Sequence, residues 1–177
     1  MARTVVHAFF GQCERFTNPR GGPFRPGLRG WTLYDDWADA VGALPDGRRR
    51  GEAMVSSIGP RGEAAIDTPT SVIQDVTAFD HYRCAGGLTL NLRFDAALAF
   101  TRLGVDAIMS LMETYFNRGG MQLQVNVVDN ALLREVREHP EVYADLLVRV
   151  SGFCAHFVDL SARAQEELIA RAEFAAK

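Results

Sequence analysis

The chain has 177 residues, of which 47% are hydrophobic and 23% charged, and its net charge is −3. This is the composition of about one ordinary globular domain, and the slightly negative charge argues against a nucleic-acid-binding protein, which needs a basic surface. No apolar run approaches the roughly 20 residues that span a bilayer, and the first residues are too short and abrupt for a secretory signal. We therefore expect a cytoplasmic protein with no membrane partner.

The first half of the chain predicts short elements separated by long loops. Residues 4–10 are rich in β-forming side chains and predict a strand, and the proline- and glycine-rich residues 11–30 predict a loop. Residues 31–43 are typical of a short helix, and residues 71–76 fit a short strand. The turn-rich stretch between them contains the run Arg48-Arg49-Arg50, which we interpret as a solvated or interface surface rather than a ligand site.

The second half of the chain has clearer periodicity. It predicts, in order, a helix over residues 96–116 that stops at Gly119-Gly120, a strand over 121–128, a helix from a cap at Asp129 or Asn130 through Arg137, a loop over 149–157, and a final helix capped by Ser161. The final helix carries Ala164, Leu168, Ile169 and Ala172 on one face. The alternation of strands and helices indicates an α/β protein.

One short run near the C-terminus reads Arg149-Val150-Ser151-Gly152-Phe153-Cys154-Ala155. A radical on a backbone Cα is most stable when it is planar and conjugated with the amide groups on both sides, and a Cβ would clash in that planar form. Glycine has no Cβ, so a residue that holds such a radical should be glycine. Gly152 therefore has two interpretations, a radical-storing residue or an ordinary turn glycine.

This run resembles the radical loop of the glycyl radical enzymes, and the resemblance covers nearly the whole chain. Residues 119–129 are similar to the strand and turn that precede that loop, and residues 157–171 are similar to the helix after it. Residues 19–27, 42–48 and 86–94 resemble segments of the eliminase branch, which includes diol and glycerol dehydratases and choline lyase. The resemblance implies the C-terminal part of a ten-stranded barrel over residues 1–118, followed by a glycyl radical domain over residues 119–177.

The resemblance also implies roles for individual residues. Gly152 becomes the catalytic residue, with Arg149 expected to anchor the loop by a salt bridge. Gln124 and Asn126 are either neighbours of the radical site or ordinary polar strand residues. His156 is interpreted as a core or interface histidine, with a catalytic role as the alternative. The rest of the radical loop is Val150, Ser151, Phe153, Cys154 and Ala155. The implied cofactor is the glycyl radical itself, and we expect no metal site and no other bound cofactor on this chain.

The residue that such enzymes need besides the glycine is a cysteine that forms a thiyl radical and attacks the substrate. In the family it lies hundreds of residues before the glycine. Cys13, Cys84 and Cys154 do not match it, and we interpret all three as structural or incidental. A barrel fragment also leaves open strand edges. The sequence therefore predicts a small, radical-bearing subunit of a split glycyl radical lyase or dehydratase, completed by a second chain.

The resemblance names the partners of such a subunit. A larger subunit would carry the cysteine and much of the pocket for a small-molecule substrate. A separate activase, with S-adenosylmethionine and an iron–sulfur cluster, would remove the hydrogen atom from Gly152. Three alternatives stay open: a spare-part protein that replaces an oxygen-cleaved radical domain, a radical-free scaffold, and a subunit of a glycyl radical decarboxylase or fumarate-adding enzyme.

Overall fold

The computed structural model describes residues 2–30, 36–55, 57–59, 68–150 and 153–170. The helices of this part are α1 (Ala2–Arg15), α2 (Pro69–Val76), α3 (Ala96–Ala99), α4 (Arg102–Asn117), α5 (Asn130–Glu138) and α6 (Ala162–Ala170). The strands are β1 (Leu90–Asp95), β2 (Leu123–Val128), β3 (Leu147–Arg149) and β4 (Cys154–His156), and short 3-10 turns cover His81–Arg83 and Phe157–Asp159. No helix among these residues is long and apolar enough to cross a bilayer.

The first element is a helix, so the strand predicted over residues 4–10 is wrong. Phe10 is fully buried against Cys84 and Leu88, and Val6, one turn earlier, packs on the same small core. That spacing of four residues places Val6 and Phe10 on one face of a helix. In a strand, residues 6, 8 and 10 would all share one face. Tertiary contacts thus override the β propensity of this segment.

Arg83 joins α1 to the 3-10 turn at His81–Arg83. Its guanidinium donates two hydrogen bonds to the carboxylate of Glu14, at 2.8 and 2.9 Å, and lies 5.0 Å from the ring centroid of Phe10. The ring Nδ1 of His7 is 3.1 Å from Nη1 of Arg83. His7, Phe10 and Glu14 are spaced as one helical face requires, so a single side chain holds that face in place.

The ion pair predicts a pH-dependent contribution to stability. Hydrogen bonds from Arg83 lower the pKa of Glu14 below its ordinary value of 4.5. A carboxyl group with a lowered folded-state pKa stabilises the fold above its unfolded-state pKa, and this contribution is lost as the pH falls through the folded-state pKa. We expect Glu14→Gln to lower the urea midpoint slightly at pH 7 and to lower it less at pH 3. An equal difference at both pH values would show that Glu14 acts through packing instead.

Residues 71–76 belong to the second helix, α2, so the strand predicted there is also wrong. Thr68 adopts the extended conformation of an N-cap, its Oγ1 accepts a hydrogen bond from the amide of Ser71, and Pro69 occupies the first helical turn. Val72, Ile73 and Val76 are buried at helical spacing. The Thr-Pro pair is a helix-start signal that outweighs the β-branched residues after it.

The central unit is a parallel pair, β1 and β2, connected by α3 and α4. The helix predicted over residues 96–116 is two helices, because the side chain of Thr101 accepts a hydrogen bond from the amide of Gly104 and starts α4 afresh. The apolar face of β1 packs under α2 and α4 in what we call the sheet core. Its members are Val72, Ile73, Val76, Leu90, Leu92, Phe94, Ala99 and Tyr115.

The predicted stop of the long helix at Gly119-Gly120 is confirmed. Gly119 has φ +87, and its amide donates to Phe116 O while the amide of Gly120 donates to Tyr115 O. These two bonds form a Schellman motif, in which a left-handed residue at the helix end is almost always glycine. The hydroxyl of Tyr115 then donates to Gln122 O at 2.9 Å, which fixes the start of β2.

The C-terminal elements enclose a separate cluster, the hairpin core. It contains Leu133, Val136, Val148, Val150, Phe157, Leu168 and Ile169, and the upstream residues Ala53 and Met54 pack against it. The predicted caps are confirmed, since Asp129 accepts from the amides at the start of α5 and Ser161 Oγ accepts from Ala164 N at 3.0 Å. Ala172, expected on the same face of the last helix, lies outside the described residues.

The interpretation of the arginine run at residues 48–50 as a surface is also corrected in part. Arg48 is fully buried, contrary to the expected solvated surface, and its guanidinium donates to the backbone oxygens of Ala38, Val41 and Gly42. Arg49 and Arg50 are exposed as expected. Of the helix predicted over 31–43, residues 31–35 lie outside the described part, and residues 37–40 form a turn around the Arg48 guanidinium.

Candidate radical site

The predicted radical loop belongs to an antiparallel hairpin formed by β3 and β4. Val148 pairs with Ala155 and Arg149 pairs with Cys154, and beyond this pairing the amide of Val150 donates to Phe153 O at 3.0 Å. Ser151 and Gly152, the two residues between, lie outside the described residues. The catalytic role of Gly152 therefore stays a prediction, and the structure describes the two strands that lead to it and away from it.

The hairpin is fixed by the alternation of its side chains. Val148 and Val150 are buried in the hairpin core, and Arg149 between them is exposed. Each fully buried aliphatic or aromatic side chain contributes about 1.5–3 kcal/mol to stability. The strand that enters the loop is therefore held by apolar anchors on both sides of Arg149, with Phe157 as the corresponding anchor after β4.

The salt bridge expected of Arg149 is not found among the described residues and stays a prediction. Its side chain is exposed, forms no ion pair with any residue that the structure describes, and donates from Nη1 to Cys154 Sγ at 3.5 Å. The two residues are paired across the hairpin, so this contact lies directly beside the predicted loop. Cys154 is exposed, which leaves its thiol accessible next to a guanidinium.

Helix α6 returns the chain onto the hairpin after the 3-10 turn. Gln165 Nε2 donates to Phe157 O at 2.9 Å, Asn130 Nδ2 donates to Ile169 O at 3.3 Å, and Arg137 pairs with Glu166. Leu168 and Ile169 complete the burial of the hairpin core. These contacts connect α6 both to the turn that follows β4 and to α5, so the residues on either side of the predicted loop share one packed unit.

Tyr143 connects α5 to the strand that enters the loop. Its hydroxyl donates to Glu135 Oε1 at 2.7 Å, and its ring packs on the hairpin core. The hydrogen bond to Glu135, with some burial, raises the pKa of Tyr143 above the ordinary value. The phenol therefore stays protonated at neutral pH and keeps this bond.

Gln124 and Asn126, the predicted neighbours of the radical, lie on β2 and are hydrogen-bonded to each other at 3.1 Å. They point away from the sheet core, on the same face as their pairing partners Asn91 and Arg93 on β1. Both amide atoms of Asn91 are buried and have no hydrogen-bond partner in the described part of the chain. Whether this polar face meets Gly152 stays a prediction.

Sequence reasoning missed Asn91 as a member of this polar face. The signal was present in the run Leu90-Asn91-Leu92-Arg93-Phe94, whose strict alternation places the asparagine and the arginine opposite the core. A buried amide without partners is rare and calls for an explanation. Asn91 therefore leaves this face with hydrogen-bonding capacity that the described residues do not use.

Two of the other candidate side chains, Cys84 and His156, lie in the described part of the chain. Cys84 is fully buried beside Phe10, and burial raises the pKa of its thiol. His156 is partly buried on β4 opposite Leu147, and its Nδ1 is buried without a hydrogen-bond partner among the described residues. In the described part of the chain, no three His, Cys, Asp or Glu side chains come together as a metal site requires.

A groove of about 740 Å³ opens between α1 and the loops that follow it, far along the chain from the hairpin. Its lining includes Val6, Leu28, Ile58 and Phe79, with Arg3 among its charged residues. Among the described residues, none of those predicted for the radical site lines it.

Comparison with known proteins places this arrangement in a family. A family model described as "Glycine radical" matches residues 55–158, which include the predicted loop. The trans-4-hydroxy-L-proline dehydratase of Clostridioides difficile is 32% identical over 169 residues, spanning 96% of this chain and 21% of that enzyme. The (2S)-3-sulfopropanediol dehydratase of Klebsiella oxytoca is 33% identical over 159 residues, spanning 88% of this chain and 19% of that enzyme.

The fold comparison agrees. The glycerol-bound B12-independent glycerol dehydratase of Clostridium butyricum superposes with a TM-score of 0.90 at 32% identity, over 97% of this chain and 22% of that enzyme. This chain thus spans about a fifth of the length of the relatives that it matches. It shares the fold of one part of a glycyl radical enzyme barrel. The chain belongs to the glycyl radical family.

Proposed function

We propose that this chain is the small, radical-bearing subunit of a split glycyl radical dehydratase or lyase, and that it stores the radical on Gly152. One observation carries the proposal. The intact Arg-Val-Ser-Gly run is bracketed by a paired, core-anchored hairpin, in a chain that spans about a fifth of its relatives. None of its three cysteines matches the thiyl position of the family, and in the proposed assembly a second subunit supplies that thiol.

The proposed chemistry is a chain of hydrogen-atom transfers. The activase removes one hydrogen atom from the Cα of Gly152, which leaves an unpaired electron there. That radical takes the hydrogen atom of the thiol on the larger subunit, so Gly152 regains its hydrogen and the sulfur carries the unpaired electron. The sulfur then takes a hydrogen atom from the substrate. After elimination the product radical takes the atom back, and the same steps in reverse return the radical to Gly152.

We infer that the reaction is an elimination from a small hydroxylated substrate. The relatives named above are dehydratases, and hydroxyproline, sulfopropanediol and glycerol all carry an alcohol group. The named dehydratases favour elimination as the reaction class, whereas the substrate itself depends on residues outside the fifth of those enzymes that this chain matches.

The residues around Gly152 have proposed roles in storage rather than in substrate chemistry. Val148 and Val150 hold the incoming strand, and the contact between Arg149 and Cys154 links the two strands next to the loop. Gln124 and Asn126 are proposed to meet the loop from the polar face of the sheet. This arrangement would shield the radical while the hairpin core keeps its position fixed.

The test is electron paramagnetic resonance of the tagged chain, purified without oxygen from its native host. A split enzyme predicts a doublet from coupling to the remaining Cα hydrogen, and a co-purifying larger chain that belongs to the same family and carries the thiyl cysteine. A larger chain that is fully active without this one would instead support the spare-part function. A silent spectrum in a preparation that contains active activase and the larger chain would support a radical-free scaffold.

A further inference from the structure

Helix α4 is apolar over a wider arc than the described residues cover. Gly104 and Tyr115 are buried, and Ile108 and Leu111 pack beside them on the sheet core. Next to that buried face runs a second apolar row, which we call the α4 stripe: Val105, Met109, Met112 and Phe116. Its spacing of four, three and four residues is that of a continuous helical ridge. Val105, Met109 and Phe116 are 48%, 51% and 46% exposed.

The stripe lies on the flank of α4 that faces away from α2. Arg118, seven residues after Leu111, lies on the other border of the buried face and donates from Nε to Thr77 Oγ1 at 2.8 Å, just after the end of α2. Polar residues occupy the remaining side of α4, among them Asp106, Ser110 and Glu113. The helix thus has a covered apolar face, an uncovered apolar stripe and a solvated face.

On the side of the sheet that faces α4, β2 is less covered than β1. On β1, Leu92 and Phe94 are each 3% exposed beneath the helices. On β2, Val127 pairs with Phe94 and points to the same side, yet it is 40% exposed. Within the described residues β2 pairs only with β1, which leaves its other edge without a strand. Parallel sheets are found almost only with both faces covered.

We propose that the α4 stripe and Val127 form the surface on which a helix of the larger barrel subunit docks. The inference rests on the proposed function and deepens it by naming the contact. The occupant is argued from the fold: this chain superposes at a TM-score of 0.90 on about a fifth of a single-chain barrel, so most of the helix layer lies outside it. The stripe has no charged member, and its methionines adapt to an irregular apolar surface. An apolar helix face is the complement that packs into such a ridge.

The experiment is site-specific photo-crosslinking in the native host, kept without oxygen. p-Benzoylphenylalanine is placed at Met109 or Phe116 on the stripe, and at Ser110 or Glu113 on the solvated face of the same helix as matched controls. Crosslinked bands are identified by mass spectrometry. The stripe positions are expected to capture a glycyl radical barrel chain, and the control positions are not.

A pair of substitutions supplies the second measurement. Met109→Asp places a charge in the proposed contact and is expected to weaken co-purification of the larger chain by about tenfold or more, since burying one such side chain corresponds to that change in affinity. Ser110→Asp, one residue away on the solvated face, is expected to leave it unchanged. Circular dichroism of both variants confirms that the helix is retained, because both positions are exposed in this chain.

The outcomes separate this proposal from the proposed function. If the larger chain co-purifies but neither stripe position captures it and Met109→Asp has no effect, the docking surface is wrong and the split enzyme stands. Capture of a second copy of this chain by the stripe would overturn the surface in favour of a self-association interface. If no barrel chain co-purifies with the wild-type protein, the split enzyme fails, and the docking proposal fails with it.

Discussion

Replacing Gly152 by alanine is expected to abolish the doublet in the electron paramagnetic resonance spectrum. Alanine carries a Cβ that clashes with the neighbouring peptide groups when the Cα becomes planar, so its radical is neither formed nor kept. Turnover of the assembled enzyme should fall to background, because the thiol of the larger subunit then has no radical to receive. The measurement is the integrated radical signal per chain in anaerobic wild-type and variant preparations.

The control for this substitution is Gly11→Ala in α1. A Cβ at Gly11 meets no atom within 4 Å, and the residue is helical, so alanine fits there and should favour the helix slightly. The radical signal of Gly11→Ala should equal that of the wild type. A doublet that persists in Gly152→Ala, or one that is equally reduced in both variants, would contradict the assignment of the radical to Gly152.

Local chemistry in the sequence predicts the ends of elements well. Gly119 ends α4, Asp129 starts α5, and Ser161 starts α6, each by a bond within four residues in the chain. The same reasoning failed for residues 4–10 and 71–76, where β-forming side chains suggested strands. In both segments the decisive information was a helical spacing of buried residues, and that spacing depends on which distant residues form the core.

For the candidate site too, the sequence predicts some features and not others. The motif and its order along the chain identify the loop, whereas the pairing of Arg149 with Cys154 in a hairpin was not predicted. The contact of Arg149 with the Cys154 thiol could not be predicted from the sequence either, because it depends on which side chains reach that surface. The packing of Met54 under the hairpin core is equally long-range.

The segment that contains Met54 also contains Asp39, whose carboxylate accepts a hydrogen bond from Arg163 of α6 at 2.9 Å. Residues 38–54 therefore contact the hairpin core and α6 at two places. Their conformation depends on Arg48, since its guanidinium donates to three backbone oxygens of the turn at residues 38–42 and its own amide donates to Asp46 Oδ1 at 3.0 Å. A buried arginine thus links the first half of the chain to the candidate site.

Arg48→Met is therefore expected to destabilise the protein by about 1–3 kcal/mol, because the methionine keeps the apolar stem but leaves one buried and two partly buried carbonyl groups without their charged donor. Arg49→Met is the matched control: that side chain is exposed, and its loss should change the free energy of unfolding by less than about 0.5 kcal/mol. Urea denaturation followed by tryptophan fluorescence measures both.

Hydrogen exchange should also increase in α6 of the Arg48 variant, since the turn that carries Asp39 loses its support. Equal midpoints for the two variants would mean that the backbone of residues 38–48 holds its shape without the guanidinium, and that the contacts of Asp39 and Met54 alone position this segment against α6 and the hairpin core.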